Sequence, residues 1–184
     1  MGRTCYFDRM KLPPLLKPNQ MIVICTPSAG REQIAALTAE LALCGAVTIL
    51  DGGNRFPAYQ TVRMLRRRTA NILPTANRIF LRRAFTCYQM LYLLESTPSL
   101  HQPYLILDLL ATFQDENVPT PEISRLLDRC LAQIDRLRLQ APVIISLAPP
   151  QAERLFLLER VCARGDQVMD IEIPYPVISQ PSLF

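Results

Sequence analysis

A single histidine, His101, stands in the whole chain, which argues against a zinc centre built on imidazoles and against His-dependent nucleophilic catalysis. As a lone residue before a strand it reads as structural or solvated. The six cysteines, Cys5, Cys25, Cys44, Cys87, Cys130 and Cys162, form no C-x-x-C pair and read as buried reduced thiols of a cytoplasmic protein. Long apolar runs are missing too: the longest are about strand length and are broken by charges or prolines, so no membrane partner is expected. The N-terminus carries charges and prolines without an apolar core segment, so a secretory signal is not expected. Lysine is scarce, 2 residues against 18 arginines. Guanidinium groups suit phosphate and carboxylate contacts, but genomic base composition produces the same bias without a function. The remainder, 49% hydrophobic and 20% charged in 184 residues with a net charge of +4, describes one folded domain with room for a sizeable core.

Residues 1–20, with Pro13, Pro14 and Pro18, read as an arm lying on the domain or on a neighbour. Residues 21–173 form the domain and 174–184 an extended tail. Within the domain, Met21 to Cys25 reads as a buried strand, and Arg31 to Cys44 places Ile34, Leu37 and Leu41 at helical spacing before Gly45 stops the helix. Ala46 to Leu50 is a second strand, and Pro57 opens a short helix to about Arg68. A third strand, Arg78 to Leu81, precedes a helix over Phe85 to Leu94, and Tyr104 to Leu107 is a fourth strand ending on Asp108. The clearest helix starts at Thr120-Pro121, with Ile123, Leu126, Leu127, Cys130, Leu131, Ile134 and Leu137 in one stripe. Pro142 to Leu147 is a strand, Gln151 to Ala163 a helix, and Gln167 to Ile173 an edge strand. Strands alternating with helices predict an α/β fold, a mostly parallel sheet with helices on both faces.

Between the first strand and the first helix runs Cys25-Thr26-Pro27-Ser28-Ala29-Gly30-Arg31-Glu32, a degenerate version of the phosphate-binding pattern G-x-x-x-x-G-K-S/T. Gly30 keeps the second glycine, while Cys25, Arg31 and Glu32 replace the first glycine, the lysine and the magnesium-binding hydroxyl. The candidate nucleotide-binding residues in this loop are therefore Ser28, Ala29, Gly30, Arg31 and Glu32, to which the resemblance described next adds Asp108. The plainer account of Arg31 and Glu32 is a solvated first helical turn.

Four segments in this order resemble the RecA/RadA recombinase ATPase core. After the loop comes Leu50-Asp51-Gly52-Gly53-Asn54-Arg55-Phe56, similar to I-D-T-E-N-x-F. Ile79 to Phe85 followed by Gln89-Met90-Leu91 is similar to V-A-R-A-Y/F followed by H-Q-M-L. Leu105 to Asp108, the helix from Pro121 and the strand Val143 to Leu147 match the Walker B strand, the next helix and the strand that normally ends T-N-Q. The resemblance spans roughly residues 20–150 and implies a RecA-like P-loop core. In that family a lysine neutralises the terminal phosphates, a hydroxyl holds magnesium, a glutamate polarises water and a glutamine senses the γ-phosphate. Here those positions hold Arg31, Glu32, Gly53 and Leu147, and only the carboxylate Asp108 remains. The resemblance thus implies a pseudo-ATPase with no catalytic residues and no required cofactor: ATP binds weakly if at all, and hydrolysis is not expected. The loop holding Asp115 and Glu116 is acidic, and Ala148-Pro149-Pro150 leaves no long second DNA-binding loop, so a filament on DNA with ATP is not expected.

Arg63, Arg66 and Arg67 end one helix, and Arg82 and Arg83 lie at the third strand. They are the candidate patch for DNA or an acidic partner, although helix-dipole compensation accounts for the first group equally. The terminal Gln180-Pro181-Ser182-Leu183-Phe184 is similar to the bacterial sliding-clamp peptide Q-L-S/D-L-F, in which Gln180 would hydrogen bond while Leu183 and Phe184 anchor in a pocket. The alternative is a tail folding Leu183 and Phe184 onto its own core. The function implied is a non-catalytic, self-associating accessory protein in DNA repair or recombination, a scaffold contacting DNA, the sliding clamp or repair proteins. The alternatives are a divergent ATPase in which Arg31 and Asp108 suffice, and a structural oligomer with no nucleic-acid role.

Overall fold

A computed structural model of the chain describes residues 16–26 and 31–170. The strands are β1 (Met21–Cys25), β2 (Val47–Asp51), β3 (Ile79–Arg83), β4 (Tyr104–Leu107), β5 (Val143–Leu147) and β6 (Gln167–Asp170). The α-helices are α1 (Arg31–Cys44), α2 (Ala58–Arg66), α3 (Ile72–Ala76), α4 (Cys87–Ser96), α5 (Thr120–Arg138) and α6 (Leu155–Cys162). All six strands join one sheet in the order β3-β2-β4-β5-β1-β6, and every neighbouring pair is parallel. The fold is therefore α/β with helices on both faces, consistent with a RecA-like core.

Parallel strands buried on both sides need continuous apolar runs, and β1, β4 and β5 supply them. Alternate residues then divide between two cores. On one face Ile22, Ile24, Ile49, Leu105, Leu107 and Ile144 pack against Ile34, Leu37 and Ala42 of α1. On the other, Met21, Val23, Leu50, Ile106, Val143, Ile145 and Leu147 pack beneath α4, α5 and α6. All seven apolar positions of the α5 stripe are buried, and each of the Leu and Ile side chains among them is worth roughly 1.5–3 kcal/mol when fully buried.

Helix ends follow local chemistry. Thr86 caps α4, its hydroxyl accepting from the Gln89 amide at 3.2 Å, while Gln89 Oε1 accepts from the Phe85 amide at 2.9 Å. This is a near relative of the reciprocal capping box. Pro57 occupies the cap position before α2 instead of the first helical position, with its carbonyl accepting from the Thr61 amide at 2.9 Å. The segment expected as one helix from Gln151 begins as a 3-10 turn, Ala152–Arg154. A second such turn, Leu109–Phe113, follows β4. Neither it nor α3 was legible in the apolar spacing. The end of the N-terminal arm lies on the domain: the Asn19 amide donates to Arg138 O at 2.6 Å, and the Val143 amide donates to Gln20 O at 2.9 Å. Among the described residues no helix is long and apolar enough to cross a membrane.

Strand order places the candidate site. From β2 the chain runs outward to β3, whereas from β4 it runs the opposite way to β5. A crevice belongs outside the carboxyl ends of such a strand pair. At this edge β1 and β5 also end, on Cys25 and Leu147, with Thr26 just beyond β1 and Asp108 just beyond β4.

Candidate functional site

Asp108 is the centre of the crevice. It follows β4 with φ 48° and ψ 47°, in the left-handed region, which Asp and Asn tolerate better than other side chains bearing a Cβ. The turn carries the carboxylate over Gly53: a Cβ built on that glycine falls 2.6 Å from Asp108 Oδ2 and 2.7 Å from Asp108 Cβ. Gly52 is equally confined, its would-be Cβ lying 2.7 Å from Met90 Cε and 2.9 Å from Asp108 O. Both glycines are there for space. The position at which the resemblance calls for a water-polarising glutamate is filled by the carboxylate of Asp108.

The preceding carboxylate, Asp51, organises the turn. Its side chain is fully buried, with Oδ1 accepting from the Arg55 amide at 3.2 Å and Oδ2 from the Phe56 amide at 3.0 Å. Arg83 Nε approaches Oδ2 at 3.6 Å. Asn54, with φ 51°, completes the reversal that brings Arg55 to the crevice beside Ile34, Pro57, Leu107, Asp108 and Ser146.

Asp108 is poorly compensated. Its residue is only 3% exposed, and Oδ1 has no hydrogen-bond partner among the described residues. Burial pushes its carboxyl above the ordinary carboxylate range; the Arg55 and Arg31 charges pull it back down and Asp51 pushes it further up. The folded state thus holds this proton more tightly than the unfolded chain does. That contribution to stability is present at acid pH and is lost as pH climbs from 3.8 through the raised native value. Asp108→Asn, which keeps shape and left-handed tolerance, is expected to stabilise the protein at neutral pH by on the order of 1 kcal/mol, the scale of a buried unsatisfied group. In urea melts across pH the advantage should vanish below 3.8; an equal gain at every pH would refute the charge-burial explanation.

Two further residues meet Asp108 or share its edge. Ser146 Oγ accepts from the Asp108 amide at 3.2 Å, and Thr26, 2% exposed, leaves its Oγ1 without a partner among the described residues. No motif in the sequence marks either as a site residue. Ser146 was findable, because it alternates with Ile144 on the α1 face of β5. Leu147, at the expected sensor position, packs instead into the core beneath α4, α5 and α6.

Of the remaining expected nucleotide residues, Ser28, Ala29 and Gly30 lie outside the described residues. Arg31 and Glu32 are exposed on the first turn of α1, where an acidic side chain complements the helix dipole. A nucleotide with magnesium does not fit the described residues well. The hydroxyl position holds an exposed glutamate, and burial raises the pKa of the surviving carboxyl.

Of the expected basic residues, Arg82 and Arg83 are divided between the two faces of β3. Arg63, Arg66 and Arg67 are exposed at the end of α2. On β3, consecutive residues point to opposite faces: Arg83 reaches Asp51, while Arg82 donates to Ser96 Oγ at 3.0 Å and Thr97 Oγ1 at 3.4 Å. Arg68 pairs with Glu40 of α1 at 2.9 Å. The clamp residues Gln180, Leu183 and Phe184 lie outside the described residues.

Compared with protein-family models and with curated proteins, the sequence matches none.

Proposed function

We propose that this protein is a non-catalytic RecA/RadA-like accessory factor of DNA repair or recombination, a scaffold working through protein contacts. The observation that carries the non-catalytic part is the interlock of Asp108 and Gly53. With Asp108 Oδ2 2.6 Å from where a Cβ at position 53 would sit, a glutamate cannot share that site. Ser146 and Leu147 support the same reading, since the β5 side chain beside Asp108 is a short hydroxyl and the sensor position faces the core.

Support for a scaffold comes from the exposed aromatic side chains around α4. Tyr88 is 52% and Tyr92 69% exposed; they stand one helical turn apart, so they share a face. Phe85 and Phe80 are exposed nearby in the chain, and aromatic residues of this kind are enriched at protein interfaces. The repair assignment rests on the resemblance in the sequence and on the terminal peptide.

ATP turnover is expected to stay at background. Turnover abolished by Asp108→Ala would replace this reading with the divergent ATPase. Immobilised bacterial sliding clamp should retain the full chain, and deletion of residues 180–184 should remove at least tenfold of that affinity, the equivalent of about 1.4 kcal/mol. Capture unchanged by the deletion would sink the clamp contact. Failure to bind clamp, DNA and nucleotide alike would favour a structural oligomer.

A further inference from the structure

Cys25, the last residue of β1, and Cys162, the last residue of α6, bring their Sγ atoms to 3.9 Å although they lie 137 residues apart in sequence. Nothing in the spacing of the cysteines announces this pair. The approach is held by several contacts along β1. The Met21 amide donates to Asp166 Oδ2 at 2.7 Å, and the Asp166 amide donates to Met21 O at 2.9 Å. Gly165 is confined against the same strand, since a Cβ there would lie 2.8 Å from Val23 Cγ2. The chain leaving α6 is therefore fastened to β1 immediately after Cys162. Cys25 itself is fixed by the ladder, in register with Leu147 on one side and Asp170 on the other.

The remaining described cysteines provide a contrast. Cys87 and Cys130 are buried in the core. Burial raises the Cys87 thiol and pushes Cys130 up to about 12, so neither offers a thiolate to an oxidant. Cys44 is exposed, and among the described residues no second cysteine is paired with it. Cys25 and Cys162 are half-buried and adjacent to each other.

We propose that Cys25 and Cys162 are a redox-modification site, closing to a reversible disulfide under peroxide. One thiol, as its thiolate, attacks a peroxide oxygen, giving a sulfenic acid and water. The second thiol then attacks that sulfur, forming the S–S bond and releasing a second water. Hydrogen peroxide is reduced by two electrons and the thiol pair is oxidised by two. Bond formation requires the sulfurs to close from 3.9 Å to about 2.05 Å. The product ties the end of β1, one residue before Thr26 and the crevice, to α6. Reversible bridges of this kind serve as sensors where thiols are otherwise kept reduced.

The full chain is treated with hydrogen peroxide, unfolded, alkylated and digested. The expected product is one peptide pair joining Cys25 to Cys162, abolished by dithiothreitol, with two of the six cysteines protected from alkylation. The urea midpoint of the oxidised protein should rise, and Cys162→Ser should lose both effects while Cys44→Ser keeps them. Mapping on the unsubstituted chain keeps the test independent of whether a variant folds. The proposal is overturned if oxidation falls on other cysteines without this peptide pair, or if the pair forms no faster in the folded protein than in urea.

Discussion

Arg154→Ala should destabilise the protein by about 3–4 kcal/mol, since two buried carbonyls losing their donor cost roughly 1–3 kcal/mol each. Arg154 is 8% exposed, unusually buried for an arginine. Its Nη1 donates to Phe113 O, the last carbonyl of the 3-10 turn after β4, and Nη2 donates to Asp115 O at 2.6 Å and Val118 O at 3.4 Å. One guanidinium thus ties the acidic loop between β4 and α5 to the start of α6. A helix end buried without such donors would leave orphaned carbonyls. Lysine, with three donors on one atom, cannot span the same carbonyls, so Arg154→Lys should recover less than half of the loss. Urea unfolding of the two variants measures both. A loss below about 1 kcal/mol for alanine, typical of surface substitutions, would mean that water replaces the guanidinium without penalty.

Gly53→Ala should cost about 1–3 kcal/mol, the usual range for forcing a methyl group into occupied space. The obstruction is specific: Asp108 supplies the Oδ2, Cβ and Cγ atoms at 2.6, 2.7 and 3.0 Å from the new Cβ. Removing that side chain while keeping the left-handed backbone is the matching change, and glycine alone does so without strain. Asp108→Gly should therefore restore most of the stability lost in Gly53→Ala, with a favourable coupling of at least 1 kcal/mol in a double-mutant cycle. Additive effects would show that the two residues do not compete for one space. Gly53→Glu, which reinstates the carboxylate named by the resemblance, should unfold more readily still and should not gain ATP turnover.

The interlock explains why the segment Asp51-Gly52-Gly53-Asn54 was legible in one respect and opaque in another. That two adjacent glycines after a strand mark a tight turn can be read from the chain, because no other residue packs so closely. What they pack against cannot: Asp108 is far away in sequence and arrives only because β4 is inserted beside β2 in the sheet. The same holds for Ser146, which reaches the Asp108 amide through the pairing of β4 with β5. For the arginines, adjacency in sequence does not fix the face on which each lies. Arg82 and Arg83 are neighbours in the chain and occupy opposite faces of β3, while Arg154, in no basic cluster, is the buried one.

By itself the sequence determined the α/β class, the parallel strands and the α5 stripe, because apolar periodicity depends on near neighbours and registers directly in the order of residues. Tertiary structure alone decided that Asp108 fills the space at Gly53, that Leu147 turns to the core and that Cys25 meets Cys162. Each is a contact between distant segments, fixed by strand order and by the directions in which β-strand side chains alternate.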